Sequence, residues 1–279
     1  MKYRIKGCLC FMLALCLLCS TGCGARELPP ETSPSTEEST TAATTAPYVD
    51  ANEKSRAEQT VAAFAEANDI PYEAYPPRLI ELLARNPETE EFVLEFPQEY
   101  GRLHEVDLQE HAGSEEVPLF LQWDKRWGYK IYGSGVAGLT ACGPLCLSMA
   151  AFYHTGDENM TPEDIIDFAK QEGYCVPGSG SSWKLISEGA KKLGLTVREL
   201  TLSDGDIKQA LDNNEPVILI MGPGDFTQVG HFILVRGYDA QTGQLLINDP
   251  NSRINSQKGW EFSRIKDQIR NLWAIGPGR

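Results

Sequence analysis

Residues 117–279 are predicted to adopt an α+β fold in which helices come first and an antiparallel sheet follows. Apolar residues recur at helical spacing between residues 143 and 193, whereas short apolar runs separated by Gly-rich loops fill residues 196–248. Helices and strands segregated in this way are typical of α+β domains. With 42% hydrophobic residues among 279, the chain can build one ordinary core with extensions.

The individual elements follow from apolar periodicity and from local start signals. A Gly-Pro pair at residues 143 and 144 and a proline at residue 162 each begin a helical pattern. The predicted helices span residues 143–153, 162–171 and 183–193. The predicted strands are a short entry strand at 117–121 and strands at 196–200, 216–221, 231–237 and 245–248. Because all these apolar runs lie inside residues 117–279, we expect this span to fold without the rest of the chain.

Charge is distributed unevenly along the chain. The formal net charge is -14 and the pI is near 4.8, which argues against a nucleic-acid partner, since such a partner requires a basic surface. Residues 23–116 carry 21 acidic against 6 basic side chains, and residues 117–279 carry 18 against 16. The acidity therefore belongs to the N-terminal part.

Residues 1–22 have the pattern of a signal peptide. Three basic residues precede an apolar run from Cys8 to Cys19, which is too short to span a bilayer. The following Ser-Thr-Gly-Cys at residues 20–23 resembles a bacterial lipobox, whose cysteine carries the lipid. We therefore expect an exported protein that is lipid-anchored through Cys23 to the outer face of the membrane. Plain secretion is the alternative, because the small residues also suit an ordinary signal peptidase.

Two segments separate this export signal from the folded domain. Residues 23–51 are rich in Ser, Thr, Pro and Glu and have almost nothing to bury, so they are predicted to be a disordered linker. Residues 52–116 form an acidic helical arm, with helical spacing around residues 61–65 and 79–83 and a third short helix at 90–94. The arm is interpreted as a brace packed on the domain; the alternative is an inhibitory pro-segment lying across a cleft.

Three cysteines remain in the mature chain besides Cys23. An odd number in an exported protein leaves at least one thiol free. Cys142 stands immediately before the Gly-Pro helix start, where free N–H groups and the helix dipole favour a thiolate. Cys146, one turn further along, has the surroundings of a packed core residue, and Cys175 lies in a loop. Cys142 is therefore the candidate nucleophile.

A base and an orienting group are predicted in one hairpin. His231 begins the apolar strand 231–237, and Asp249 follows the returning strand 245–248. In an antiparallel hairpin the start of the first strand lies near the end of the second, so Asp249 can reach His231 within a residue or two of register. Nucleophile, base and orienter are the parts of a covalent hydrolase.

These residues resemble the papain-fold cysteine peptidases of family thirty-nine, the bacteriocin-processing type, and particularly their exported, stand-alone relatives. The resemblance covers residues 117 to about 274. It is carried by VPLFLQWDKRWGY at 117–129, ACGP at 141–144, GHFI at 230–233 and NDP at 248–250. It implies a papain-like fold, with Cys142 as nucleophile, His231 as general base and acid, Asp249 as the orienting residue and Gln122 as oxyanion donor. The implied partner is a peptide or protein substrate.

Other chemistries have weaker support. The glycine-rich run 133–138 satisfies a dinucleotide-binding pattern but precedes no βαβ unit, so it is interpreted as a flexible loop. No cysteine pair has zinc-site spacing, and we expect no metal and no cofactor. Three functions remain: a thiol peptidase acting outside the cell, an amidase or transpeptidase of cell-wall peptides on the same fold, and a catalytically inactive binding lipoprotein.

Overall fold

The computed structural model describes residues 50–102, 104–111 and 113–278. The predicted signal peptide, Cys23 and nearly all of the linker lie outside the described residues. The α-helices are α1 (Ala51–Ala67), α2 (Pro77–Arg85), α3 (Glu90–Glu99), α4 (Lys125–Gly128), α5 (Ala137–Thr140), α6 (Cys142–Thr155), α7 (Pro162–Gln171), α8 (Ala190–Lys192), α9 (Asp204–Asp212), α10 (Arg253–Ser256) and α11 (Phe262–Ile265). Within the described ranges, no helix is both long and apolar enough to cross a membrane.

The strands form one large sheet and two small hairpins. They are β1 (Ile131–Tyr132), β2 (Gly135–Val136), β3 (Cys175–Val176), β4 (Gly180–Ser181), β5 (Thr196–Glu199), β6 (Val217–Met221), β7 (His231–Tyr238), β8 (Leu245–Asn248), β9 (Gly259–Trp260) and β10 (Ile269–Gly276). The large sheet has the order β5-β10-β6-β7-β8-β9, and all its pairings are antiparallel. Helices α6 and α7 precede it in the chain, so the expected α+β architecture is confirmed.

Strand β6 explains how the sheet is held between two layers. All five of its residues are buried, which is the pattern of a strand covered on both faces. Ile218 and Ile220 belong to the core that includes α6 and α7. Val217, Leu219 and Met221 point to the opposite face and pack with Ile207 and Ala210 of α9. The sheet therefore provides a rigid central layer for the residues at its strand ends.

Helix α6 lies in the main core and is apolar nearly all round. Ten consecutive residues, 143–152, are buried, and the helix ends at Gly156, whose φ of 59° suits the left-handed cap that glycine favours. The next helix, α7, starts with a capping box between Thr161 and Asp164. Its bounds are those predicted from the sequence.

Three sequence predictions need correction. Residues 117–121 are not a strand; they run in irregular conformation, anchored where the Asn248 side chain donates to the carbonyls of Val117 and Pro118. The predicted helix 183–193 is a π-helix at Leu185–Gly189 followed by the single turn α8. The glycine-rich run 133–138 is not a flexible loop, because it forms the β1–β2 hairpin and enters α5, with Ala137 fully buried.

The N-terminal arm contains helices α1, α2 and α3 and shares a core with the domain. Phe92 of α3 stacks on Tyr129, with ring centroids 4.5 Å apart, and Tyr129 Oη donates to the Phe92 carbonyl at 3.1 Å. Val136 of β2 is buried in the same cluster. His104 and His111 are half-buried, the latter edge-on against Phe120 at 5.5 Å.

Candidate active site

Cys142 is the first residue of α6, at the edge of the main core. Pro144 is tolerated there because the N–H groups of a first helical turn have no partner within the helix. The Leu145 N–H makes the first helical bond, to the Ala141 carbonyl at 3.0 Å, and Ala141 offers no side chain to cap the N–H groups that precede it. The Cys142 sulfur thus lies against unpaired backbone donors, half-buried, as the Gly-Pro signal predicted.

His231 and Asp249 meet at the end of the hairpin formed by β7 and β8. Leu234 pairs with Asn248, so Asp249 stands one step beyond the strand and within reach of the first residue of β7. His231 Nε2 lies 2.7 Å from Asp249 Oδ1, and both side chains are buried. The Cys142 thiol lies close enough to the same imidazole for the ring to lower its pKa. Because Nε2 is engaged by Asp249, the ring nitrogen left for the sulfur is Nδ1.

The electrostatics favour charge separation between Cys142 and His231. Burial by itself raises the pKa of the Cys142 thiol, but the hydrogen bond and charge of His231, with the N–H groups of Phe232 and Gly143, outweigh burial and hold that pKa below its usual value. Burial lowers the pKa of His231, but the charge and hydrogen bond of Asp249, together with Cys142, raise it to about 10. Both shifts therefore favour a thiolate beside an imidazolium over the neutral pair.

Gln122 lies between the segments that carry the other three residues. Its backbone N–H donates to the Pro250 carbonyl at 2.7 Å, and its side-chain Nε2 donates to the Gly138 carbonyl at 2.7 Å, four residues before Cys142. The side chain is buried, and its Oε1 has no partner among the described residues. The amide nitrogen carries a second hydrogen, which is the one available to a bound ligand.

The family model described as "Peptidase_C39 like family" matches residues 114–275, more than half of the chain. The chain belongs to the Peptidase_C39-like family. A solved structure similar to this family member is titled the peptidase domain of Streptococcus ComA, a bi-functional ABC transporter involved in a quorum-sensing pathway. It is 22% identical, covers 58% of this chain and 98% of its own, and has a TM-score of 0.39. A comparison with curated protein sequences finds no match.

Membership in the Peptidase_C39-like family makes the chain a papain-like cysteine peptidase by fold and by family. Of its cysteines in the described residues, Cys142, Cys146 and Cys175 form no disulfide. Cys146 is fully buried, and burial raises the pKa of its thiol well above the usual value, so it is an inert core residue as predicted. Cys175 is half-buried in β3.

The sequence did not indicate the groups that hold Asp249. Its Oδ1 also accepts the N–H of Asn251 at 2.9 Å, and its Oδ2 accepts the Asn255 side-chain amide at 2.9 Å. Three donors therefore face a carboxylate that is 1% exposed, an arrangement that suits the ionised form. An Asn or Ser cluster a few residues beyond a candidate acid is the only signal of this arrangement, and it is common in ordinary turns.

The residues beside Cys142 in this Peptidase_C39-like protein were also not predicted from the sequence. A Cβ on Gly143 would lie 2.9 Å from Ser181 Oγ, so glycine at this position lets β4 approach the start of α6. Tyr132 and Ser181 hydroxyls are 2.7 Å apart. Trp183 is 46% exposed and meets Trp273 edge-on at 6.3 Å.

Proposed function

We propose that this protein is an extracytoplasmic thiol peptidase that cleaves peptide bonds through a Cys142-His231-Asp249 triad. The observation that carries the proposal is the buried pair of His231 and Asp249, joined at 2.7 Å through Nε2, beside a Cys142 thiol whose pKa the same imidazole lowers. Nucleophile, base and orienter in this order are the requirements of covalent acyl transfer. Membership in a cysteine peptidase family supports the same chemistry.

In the acylation step, the Cys142 thiolate attacks the carbonyl carbon of the scissile amide. The imidazolium of His231 then donates its proton to the leaving amine as the C–N bond breaks, which leaves a thioester on Cys142. A water molecule, deprotonated by the now neutral His231, hydrolyses this thioester and releases the acid. Asp249 keeps the ring oriented and stabilises its charged form throughout.

Charge that develops on the substrate oxygen needs hydrogen-bond donors aimed at it. We assign this role to the second amide hydrogen of Gln122 and to the backbone N–H of Cys142 at the start of α6. The position of Gln122, bonded to Gly138 on one side and to Pro250 on the other, supports the assignment because Pro250 directly follows Asp249 and Gly138 stands four residues before Cys142. These contacts pre-organise the amide before substrate binds.

The location belongs to the proposal as well. The basic start, the apolar run and the lipobox at residues 20–23 support export with a lipid on Cys23, so the peptidase would act at the outer face of the membrane on extracellular peptides. The near-neutral charge of residues 117–279 is compatible with peptide substrates of either charge.

The test compares the wild-type protein with the Cys142→Ala variant on a diverse peptide library and on cell-wall fragments, with products identified by mass spectrometry. Cleavage of library peptides by wild type only supports the proposal. Release or exchange on cell-wall peptides alone would reassign the same residues to an amidase or transpeptidase. If both proteins are correctly folded and neither one changes the substrates, the result would favour a binding lipoprotein.

A further inference from the structure

The turn that carries Asp249 is held from outside by the N-terminal arm. Glu88, in the short 3₁₀ turn between α2 and α3, accepts the Ser252 hydroxyl at 2.6 Å. Its carboxylate also accepts the backbone N–H groups of Arg253 at 3.0 Å and Ile254 at 3.3 Å. These contacts join residues 164 to 166 positions apart in the sequence. One arm carboxylate therefore satisfies three donors of the turn that follows Asp249.

A second arm residue holds the same turn at its beginning. The Asn86 side-chain amide donates to the Asn251 carbonyl at 2.5 Å, and Trp123 Nε1 donates to the same carbonyl at 3.0 Å. Asn86 also accepts the N–H of Glu88 at 3.1 Å through Oδ1, and its side chain is buried. Asn86 and Glu88 are thus fixed relative to one another, and together they hydrogen-bond both ends of the Asn251–Ile254 backbone.

A continuous series of hydrogen bonds connects Glu88 to the proposed triad. Ser252 donates to Glu88 and, as the cap of α10, accepts the N–H of Asn255 at 3.1 Å. The Asn255 side chain donates to Asp249 Oδ2 at 2.9 Å, and Asp249 Oδ1 faces His231. A shift of Ser252 would therefore move Asn255 and, with it, the carboxylate that orients the imidazole.

We propose that the arm is a permanent part of the peptidase and that Glu88 is a positioning residue for Asp249. This inference rests on the proposed function. Across the described residues, the hydrogen bonds from the arm to this region reach Asn251 and residues 252–254, and none reaches the side chains of Cys142 or His231. A segment that inhibited by covering the site would contact those groups. The arm instead contacts the turn that follows Asp249.

The test uses the full chain and compares Glu88→Ala with Glu90→Ala. Glu90 is an exposed glutamate two residues away, whose carboxylate makes no ion pair with any described residue. Two measurements are made: the rate of Cys142 alkylation by iodoacetamide at pH 6, and kcat and KM on a cleaved peptide. Glu88→Ala should slow alkylation and lower kcat by about 3- to 30-fold with KM little changed, as expected for a residue acting through its neighbours.

Two further variants keep the inference falsifiable if Glu88→Ala does not fold. Glu88→Gln retains one acceptor oxygen and should recover part of the loss, whereas Ser252→Ala breaks the link to Asn255 and should reproduce it. Rates equal to those of Glu90→Ala in all three variants would overturn the positioning role. Higher activity after loss of Glu88 would overturn it in favour of an inhibitory arm. If wild-type Cys142 neither alkylates at pH 6 nor cleaves peptide, the proposed function itself fails.

Discussion

Asp249 Oδ1 lies 2.7 Å from His231 Nε2, which leaves Nδ1 as the ring nitrogen open to the Cys142 thiol. The carboxylate and the thiolate therefore act on opposite sides of one imidazole. This relationship determines the proton inventory of the site: the ring holds both protons while the sulfur is ionised, and the buried carboxylate balances the ring's charge.

Replacing Asp249 by Asn should lower turnover while the fold is retained. The Asn oxygen can still accept the His231 proton but no longer stabilises the charged ring, and its amide would face the Asn255 amide, a donor against a donor. We expect kcat/KM to fall by about 10- to 10³-fold, below the 10⁴-fold seen when a triad carboxylate loses its charge in serine peptidases. Steady-state kinetics and circular dichroism measure the two effects. An unchanged rate would remove Asp249 from the mechanism.

Cys142 should be the thiol that alkylates first at about pH 6, where an ordinary thiol is almost wholly protonated. Its pKa is lowered by the His231 ion pair and by backbone N–H groups, whereas Cys146 is fully buried with a raised pKa. His231→Ala should slow the reaction because the thiolate loses its cation. Peptide mass mapping after limited iodoacetamide treatment reads the site. Modification of Cys175 first, at a rate independent of His231, would contradict the assignment.

The pH profile of activity should extend unusually far into the alkaline range. His231 has its pKa raised from 6.5 to about 10, so its imidazolium persists through neutral pH and is lost only as pH rises through about 10. The stability that the charged His231 contributes to the fold is complete below pH 6.5. It is lost as the pH rises from 6.5 to about 10. The acid limit is set by the lowered pKa of Cys142. An alkaline limb of kcat/KM centred near 6.5 would show that Asp249 does not hold the ring charged.

Phe92 should be the strongest single contact between arm and domain. Its ring stacks on Tyr129 and occupies the space beside Gly128 and Gly138, where any Cβ would collide with it. Phe92→Ala should lower the free energy of unfolding by about 3–5 kcal/mol, as for other buried aromatic residues. Phe64→Ala, at a half-buried site on α1, should cost less. The free energy of unfolding of both variants is measured by urea denaturation. Equal losses of this free energy would mean that Phe92 contributes no more to stability than Phe64.

Cys23→Ser should move the protein from the membrane fraction to the medium if this cysteine carries the lipid. The expected reason is that loss of the acyl chains removes the anchor. Cell fractionation with immunoblotting checks the distribution, and Cys142→Ala serves as a control that should stay with the membrane. Equal release of wild type and Cys23→Ser would leave plain secretion.

Local patterns predicted the elements of the site better than its surroundings. The hairpin of β7 and β8 could be foreseen because both strands and the turn between them are contiguous in sequence, which fixes where His231 and Asp249 stand. The start of α6 was equally local, since Gly-Pro after Cys142 signals a helix N-terminus. Gln122 was predicted from the family resemblance alone.

Long-range packing could not be predicted in the same way. Strand β10 was missed, although it lies between β5 and β6, because nothing within residues 269–276 identifies their partners. The hydrogen bonds of Glu88 to the turn at 252–254 join segments that are distant in sequence, so no local sequence pattern predicts them. Residues 117–121 are apolar because they pack in the core beside α6, not because they form a strand. The Asn248 side chain satisfies the carbonyls of Val117 and Pro118.

The place of β10 in the sheet has a consequence for the timing of activity during biosynthesis. The chain is made from its N-terminus, and β6, which pairs with the His231 strand β7, gains its second neighbour only after residues 269–276 have emerged to join β5 to β6. A chain that stops short of this strand holds Cys142, His231 and Asp249 in an incomplete sheet, in which β6 has an open edge. We therefore expect the candidate site to be fully supported only after the last strand of the sheet has been made.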